Sequence, residues 1–407
     1  MGMSENDFLK AAKRMKVQLI TWRRFLHENA EVGFDTKRTA DYIQDELNKM
    51  GYTAVKRGKF GVLASVGEGA RCFLLRADMD ALPIKERARE PFACKKGNMH
   101  ACGHDLHTAM LLGAARLLKA GEKELKGRVK LLFQAAEESL EGAKNAVQNG
   151  VLESPRVDAA MMIHVLTGVE LPVGTAIVSS AGISAPAADY FTVELLGKGC
   201  HGSAPWKGVD ATLVAAYLTV ALQELPAREI PIGDPAVLTV GSLHAGETGN
   251  VIADRATLKG TLRAFDETRR EEIKKRLREI ATATAKTFRA RASVHFDSGC
   301  PTLVNDGGVS AFIEGAAKKI LKKNAVYTSA ELSGGVKKES GGSEDFAYIA
   351  QEVPSVMVAV AAGEKGKGYD YPLHHPKVRF DENALPIGAA LYAGGATAYL
   401  EERGGKE

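Results

Sequence analysis

Apolar residues recur at helical spacing at the start of the chain. Phe8, Met15, Leu19, Trp22 and Leu26 share one face, with Ser4 placed to cap it. A second helix is predicted from Thr36 to Met50, closed by Gly51. The apolar run Arg71 to Ala77 predicts a buried strand that ends in Asp78-Met79-Asp80-Ala81-Leu82-Pro83. A helix from about His107 to Ala120 follows, then a strand from Arg128 to Gln134. Next come a helix ending near Gly150 and a strand from Val157 to Val165. Strands alternating with helices predict an α/β domain, with a central, mostly parallel sheet and helices on its faces.

The pattern changes near Ala181-Gly182. Asp189 to Leu196 alternates apolar and polar residues, as a half-exposed strand does. A helix from about Asp210 to Leu225 follows, with strands at Ala236 to Leu243 and Ala256 to Phe265. A charged helix, Glu267 to Arg289, and a strand, Ala292 to Asp297, complete the stretch. This reads as a sheet with one open face and two helices on the other, a small α+β domain. From about Cys300 the α/β style resumes, with helices near Val309 to Lys322 and Glu382 to Glu401. The predicted organisation is one α/β domain, residues 1–184 plus 299–407, interrupted by an α+β domain at 185–298.

Composition narrows the function classes. The 407 residues are 45% hydrophobic and 26% charged, the balance of a globular protein, and suffice for two or three domains. The net charge of +4 is dispersed, and clusters such as Lys95-Lys96, Lys322-Lys323 and Lys337-Lys338 are short, so no nucleic-acid partner is expected. No apolar run is long enough to span a membrane, and Met1 to Lys10 lacks the apolar centre of a signal peptide. Five cysteines without paired spacings fit reduced thiols in the cytoplasm.

Four clusters sit where strands should end, the place where ligands collect in open α/β sheets. In Met99-His100-Ala101-Cys102-Gly103-His104-Asp105-Leu106-His107, a thiolate and an imidazole two residues apart, Cys102 and His104, can face one ion or two adjacent ones. The alternative is a histidine-rich loop without metal. Glu137-Glu138 follows a buried strand, and two adjacent carboxylates there call for a counter-charge. The alternative is the exposed start of the next helix, where acidic residues are favourable anyway. His164 ends an apolar run, where a lone histidine is more often a satisfied core residue than a ligand. His374-His375 lies in a proline-braced segment that reads equally as a surface loop. Together the clusters offer Cys, His, Glu, His and His, a set better suited to two metals than to one.

At these residues the chain resembles the M20 metallopeptidases, and within them the amidohydrolase branch of hippurate hydrolases, N-acyl-amino-acid amidohydrolases and auxin-conjugate hydrolases. The resemblance rests on Arg76-Ala77-Asp78-Met79-Asp80-Ala81-Leu82-Pro83, His100-Ala101-Cys102-Gly103-His104-Asp105, Glu137-Glu138, Ile163-His164-Val165, Gly342-Ser343-Glu344-Asp345-Phe346 and Leu373-His374-His375-Pro376. It implies a metal-binding catalytic domain and an inserted lid or dimerisation domain. Cys102 would lie between two metals, with His104, Glu138, His164 and His374 completing the sites. Glu137 would be the general base, taking a proton from the attacking water and passing it to the leaving nitrogen. Asp80 would orient a ligand.

In the inserted domain, Gly199-Cys200-His201-Gly202-Ser203-Ala204-Pro205 resembles the family's lid motif. His201 would stabilise the oxyanion of its own or a partner subunit's site. Asn250 and Arg263 match the residues that hold the substrate carboxylate, a task suited to a planar guanidinium. The chain departs from the family pattern at Ala135, Ala253 and Trp206. Trp206 stands where His is frequent, and either touches substrate or is buried in the lid.

The implied reaction is hydrolysis of an N-acyl amino acid to a carboxylate and a free amino acid. The alternative is a dipeptidase or carboxypeptidase acting on small peptides. Two divalent ions per subunit are expected. Thiolate and imidazole favour Zn, Co, Ni or Mn over Mg or Ca, and the family is associated with manganese. A homodimer through the lid domain, or a higher oligomer, is the implied assembly.

Overall fold

The computed structural model describes residues 5–59, 61–333 and 342–404. Ser4 and the Lys337-Lys338 pair lie outside the described residues. The chain divides into two compact units. One holds described residues 5–184, 304–333 and 345–404, and the other 185–303 and 342–344.

The first unit carries an eight-stranded sheet. Its strands in chain order are β1 (Val55–Arg57), β2 (Gly61–Val66), β3 (Cys72–Asp78), β4 (Arg128–Gln134), β5 (Ala159–Leu166), β6 (Ala176–Val178), and the strands Val326–Thr328 and Ser355–Ala361. The spatial order runs β1, β2, β4, β3, β5, Ser355–Ala361, β6, Val326–Thr328. The centre is parallel: β3 pairs with β4 and β5, and β5 with Ser355–Ala361. Antiparallel pairs occur toward the edges. The α/β class is therefore as the alternation predicts. The strands missing from the sequence reading include three of three residues each, too short for periodicity to register, and the apolar run Ser355–Ala361.

Helices α1 (Glu5–Arg14), α2 (Lys16–Glu28), α3 (Lys37–Lys49), α4 (His104–Ala120) and α5 (Gly142–Gln148) belong to this unit. The single long helix predicted at the start is two helices. The chain breaks at Met15, whose φ of −90° and ψ of 4° lie in the bridge region. Both halves keep the same apolar period, so periodicity alone does not see the break. Helix α4 is apolar around most of its circumference and buried from His104 to Ala115, as a helix enclosed by a core must be. Phe73, Leu75, Leu131, Met161 and Val358 of the sheet belong to the same core as Leu106, Met110 and Leu111 of α4.

The second unit is a four-stranded antiparallel sheet in the order Ala236–Ala245, Arg255–Ala264, Ala187–Leu196, Arg291–Cys300. Helices α6 (Ala211–Ala221) and α7 (Glu267–Thr287) pack on one face. Val193, Leu195, Leu258 and Leu262 from the strands meet Val214, Leu218, Ile273 and Leu277 from the helices in a separate core. The Asp210 side chain caps α6 by accepting from the backbone N–H groups of Thr212 and Leu213.

Candidate metal centre

Because β3, β4 and β5 run parallel, their carboxyl ends share one edge, with Asp78 opposite Gln134. The chain leaves β3 through Met79 and Asp80, and Met79 N–H still donates to Gln134 O at 2.8 Å. Asp80 is fully buried there.

The loop leading into α4 delivers Cys102 and His104. Gly103 between them has φ +87°, and a Cβ on it would stand 2.4 Å from a Val165 methyl. Only glycine meets both demands. The helix starts at His104, one turn earlier than predicted, so His104 and His107 lie three residues apart on one face. His104 is 1% exposed. Its Nδ1 lies 3.0 Å from Asp80 O. A carbonyl can only accept, so Nδ1 carries a proton, and in the neutral ring that leaves the Nε2 lone pair for an ion. That Nε2 is buried and has no hydrogen-bond partner.

Beyond β4 the chain turns sharply at Ala136, whose φ of +59° is left-handed. The turn aims two successive N–H groups at one carboxylate: Glu137 N–H donates to Asp80 Oδ1 at 3.1 Å and Glu138 N–H to Oδ2 at 3.2 Å. Gly142 closes the turn, and a Cβ there would meet Ala135 O at 1.7 Å. Asp80 thus holds His104 by its carbonyl and both glutamates by its side chain.

His164 comes from β5. Its Nδ1 donates to Val165 O at 2.8 Å, which leaves Nε2 lying 3.5 Å from Cys102 Sγ. His374, half-exposed and at φ +65°, brings Nε2 to 3.5 Å from Glu138 Oε1. Its backbone N–H is fixed to Ala101 O at 2.9 Å. The neighbouring His375 ring instead stacks on Tyr371 at 4.3 Å.

The donor atoms form groups with members within 4.8 Å of one another: Cys102 with His104 and His164, Cys102 with Glu138 and His374, and His104 with Glu137 and Glu138. Cys102 is common to the first two. Such thiolate, imidazole and carboxylate sets can hold divalent ions. The buried Nε2 of His104, which makes no hydrogen bond and faces the carboxylates of Asp78, Glu137 and Glu138 at 3.7–3.9 Å, fits an ion there. So does the Cys102 thiol, whose burial pushes its pKa up despite nearby His104. A cation would stabilise the thiolate that burial disfavours.

Sequence reasoning missed a layer beneath this centre. Arg76, fully buried on β3, donates to Asp78 Oδ2 and to Asp345 Oδ1, each at 2.8 Å, and to Gln134 Oε1 at 2.9 Å. Asp345 also accepts from the Ala143 N–H at 2.8 Å. Asp78 accepts from His107 Nδ1 at 2.6 Å. The signal was available: Arg76 and Asp78 interrupt an otherwise apolar strand, where a charge requires a partner.

The remaining candidates lie in the second unit. The short strands Cys200–His201 and Val251–Ile252 pair antiparallel, which sets His201 opposite Val251 and adjoins Asn250. His201 is exposed and its Nδ1 accepts from the Ser203 N–H at 3.1 Å, so Nε2 carries the proton. Asn250 is exposed. Arg263, half-buried on the strand Arg255–Ala264, lies over the Tyr190 ring at 5.8 Å. Trp206 is 73% exposed, which removes the buried-lid reading. It sits in the single turn Pro205–Lys207, which has no buried residue to enclose it.

The profile of Peptidase family M20/M25/M40 matches residues 74–397. The chain is 38% identical over 376 residues to the N-acetyl-L-cysteine deacetylase of Bacillus subtilis (strain 168), covering 91% of this chain and 85% of that protein. It is 35% identical over 411 residues to the IAA-amino acid hydrolase ILR1-like 2 of Arabidopsis thaliana, covering 99% and 90%. Its structure matches the crystal structure of the Bacillus subtilis YXEP protein, a dinuclear metal binding peptidase from the M20 family. The TM-score is 0.75 at 31% identity, over 96% of this chain and 99% of that one.

Proposed function

The chain belongs to peptidase family M20/M25/M40, and from that premise we propose that it hydrolyses the amide bond of N-acyl amino acids with two divalent metal ions. The observation that carries this is the convergence of Cys102, His104, Glu138, His164 and His374 around one shared sulfur, with Glu137 beside them. Cys102 would be held between the ions, His104 and His164 would bind through Nε2, and Glu138 and His374 would complete the set. Zn, Mn, Co and Ni suit these donors.

When bound, the ions supply Lewis acidity to the scissile carbonyl and lower the pKa of the attacking water. Glu137, 5% exposed, takes the proton from that water and hands it to the leaving nitrogen. Asp80 holds the glutamate backbone still while this happens. His201, with its proton on Nε2, donates to the oxyanion, and Asn250 and Arg263 bind the substrate carboxylate.

The assembly we propose is a homodimer formed through the second unit. Leu213, Tyr217 and Val220 line one exposed side of α6 at 46%, 56% and 72%, and the edge strand Ala236–Ala245 exposes Val237 and Leu243. An open edge beside an apolar helix face suits pairing with a second copy. Among the described residues no helix is long and apolar enough to cross a membrane. None of the five cysteines is in a disulfide, which fits the cytoplasm.

The test is release of free amino acid from N-acetyl and N-benzoyl amino acids and from dipeptides. Each is assayed with chelator, then with Zn, Mn, Co or Ni restored. Metal-dependent release from the N-acyl substrates is expected. Hydrolysis that survives chelation, or none on any N-acyl substrate, overturns the proposal. Faster cleavage of dipeptides would favour the peptidase alternative.

A further inference from the structure

His107 lies one helical turn after His104 and is fully buried. Both ring nitrogens are engaged. Val165 N–H donates to Nε2 at 2.9 Å, so Nε2 is an acceptor; Nδ1 carries the proton and donates to Asp78 Oδ1 at 2.6 Å. The ring is neutral by this geometry.

The two partners occupy different strands. Asp78 ends β3, and Val165 directly follows His164 on β5. The register between these strands runs from Phe73 opposite Ala159 to Arg76 opposite Met162, and no pairing continues to Asp78. Beyond that point, the His107 ring links the two strand ends. It also touches the candidate ligands directly: its centroid lies 4.7 Å from the His164 ring at 63° and 5.3 Å from the His104 ring. Asp78 Oδ2 accepts from Arg76 and lies 3.7 Å from His104 Nε2.

Asp78, His104 and His107 are near enough to one another to suggest an ion of their own. Their hydrogen bonding argues otherwise. Both His107 nitrogens are engaged, so that ring has no lone pair to give an ion, and each Asp78 oxygen already accepts a hydrogen bond; of the three residues only His104 keeps a nitrogen, Nε2, that makes no hydrogen bond.

We propose that His107 is a positioning residue: by tying Asp78 to the Val165 N–H, it fixes the separation and orientation of His104 and His164, and so the geometry of the metal centre. This rests on the metal-dependent reading above. A ligand-bearing pair held by one rigid ring is pre-organised before any ion arrives, and loss of such outer contacts typically weakens metal binding by about 10- to 100-fold.

Three variants of the full chain separate the two bonds. His107→Leu removes both. His107→Asn keeps an amide donor for Asp78, and His107→Gln keeps an acceptor for Val165 N–H. Zn2+ affinity is read by competition with a chromophoric chelator, and site geometry by the visible and thiolate charge-transfer absorption of the Co2+ form. Circular dichroism and melting report the fold. His107→Leu is expected to bind Zn2+ about 10- to 100-fold more weakly, with an altered Co2+ spectrum, and Asn and Gln to recover part of the loss. Wild-type affinity and an unchanged spectrum in His107→Leu overturn the proposal while leaving the hydrolase reading intact. Should His107→Leu not fold, wild-type affinity and spectra in both Asn and Gln overturn it. A wild-type chain that binds no Zn2+ or Co2+ overturns the metal-dependent reading and the positioning role with it.

Discussion

The carbonyl oxygen of Asp80 accepts the imidazole proton of His104 at 3.0 Å. This bond belongs to the main chain and survives any substitution at residue 80. The carboxylate does separate work, holding the N–H groups of Glu137 and Glu138. Asp80→Ala therefore leaves His104 oriented and frees the glutamates. Metal affinity or kcat/KM should fall by about 10- to 100-fold. Asp80→Asn should lose less, because its amide oxygen can still accept one of the two N–H groups while its nitrogen cannot accept the other. Unchanged kinetics and metal affinity in both variants would remove Asp80 from the site.

Glu137→Gln keeps the side chain's shape and loses its basicity. Turnover should drop by at least about 10²-fold, with metal content by elemental analysis unchanged. Normal activity in metal-replete Glu137→Ala protein would sink the general-base assignment.

His201 offers an outward N–H, because its Nδ1 already accepts from Ser203. His201→Ala should lower kcat by about 10²- to 10³-fold while changing KM much less, since the bond matters most in the transition state. A change confined to KM would instead make His201 a substrate-binding group.

Arg76 is buried between Asp78 and Asp345. Arg76→Met leaves two buried carboxylates without their cation and should destabilise the fold by about 3–5 kcal/mol in urea unfolding. A shift under about 1 kcal/mol would mean the two carboxylates are neutralised some other way.

Cys72 opens β3 in the core. Burial, partly offset by the Lys130 charge, raises its pKa to about 11 from an ordinary 9.0. The unfolded chain therefore loses this proton first as pH rises. Stability contributed by the neutral thiol is intact below pH 9 and declines toward pH 11, by roughly 2–3 kcal/mol in all at about 1.4 kcal/mol per unit. Cys72→Ala should show a shallower alkaline decline in urea titrations at several pH values. Parallel declines in the two proteins would exclude the thiol as the cause.

The sequence made the parallel centre of the sheet legible because β3, β4 and β5 are apolar runs bounded by turns. The break at Met15 was hidden, since it preserves the apolar period on both sides. Cys102, His104 and Glu138 could be named from their clusters and the family likeness, but their contacts could not. Those depend on Ala136 adopting a left-handed conformation that its side chain does not advertise. Arg76 and Asp78 stood out as charges in an apolar strand, and His107 as the end of a histidine-rich segment, but nothing in the sequence joined the three. Their meaning needed Asp345, distant in sequence and adjacent in space.

The separation of candidate groups between the two units has an evolutionary consequence. Every proposed metal ligand, together with Glu137, lies in the α/β unit, whereas His201, Asn250, Arg263 and Trp206 lie in the inserted one. Two independent cores let mutations accumulate in one unit without disturbing packing in the other. Recognition through Asn250, Arg263 and Trp206 can then diverge among descendants of one gene while the proposed metal ligands and Glu137 are inherited unchanged, with His201 the one proposed chemical group that the inserted unit must keep.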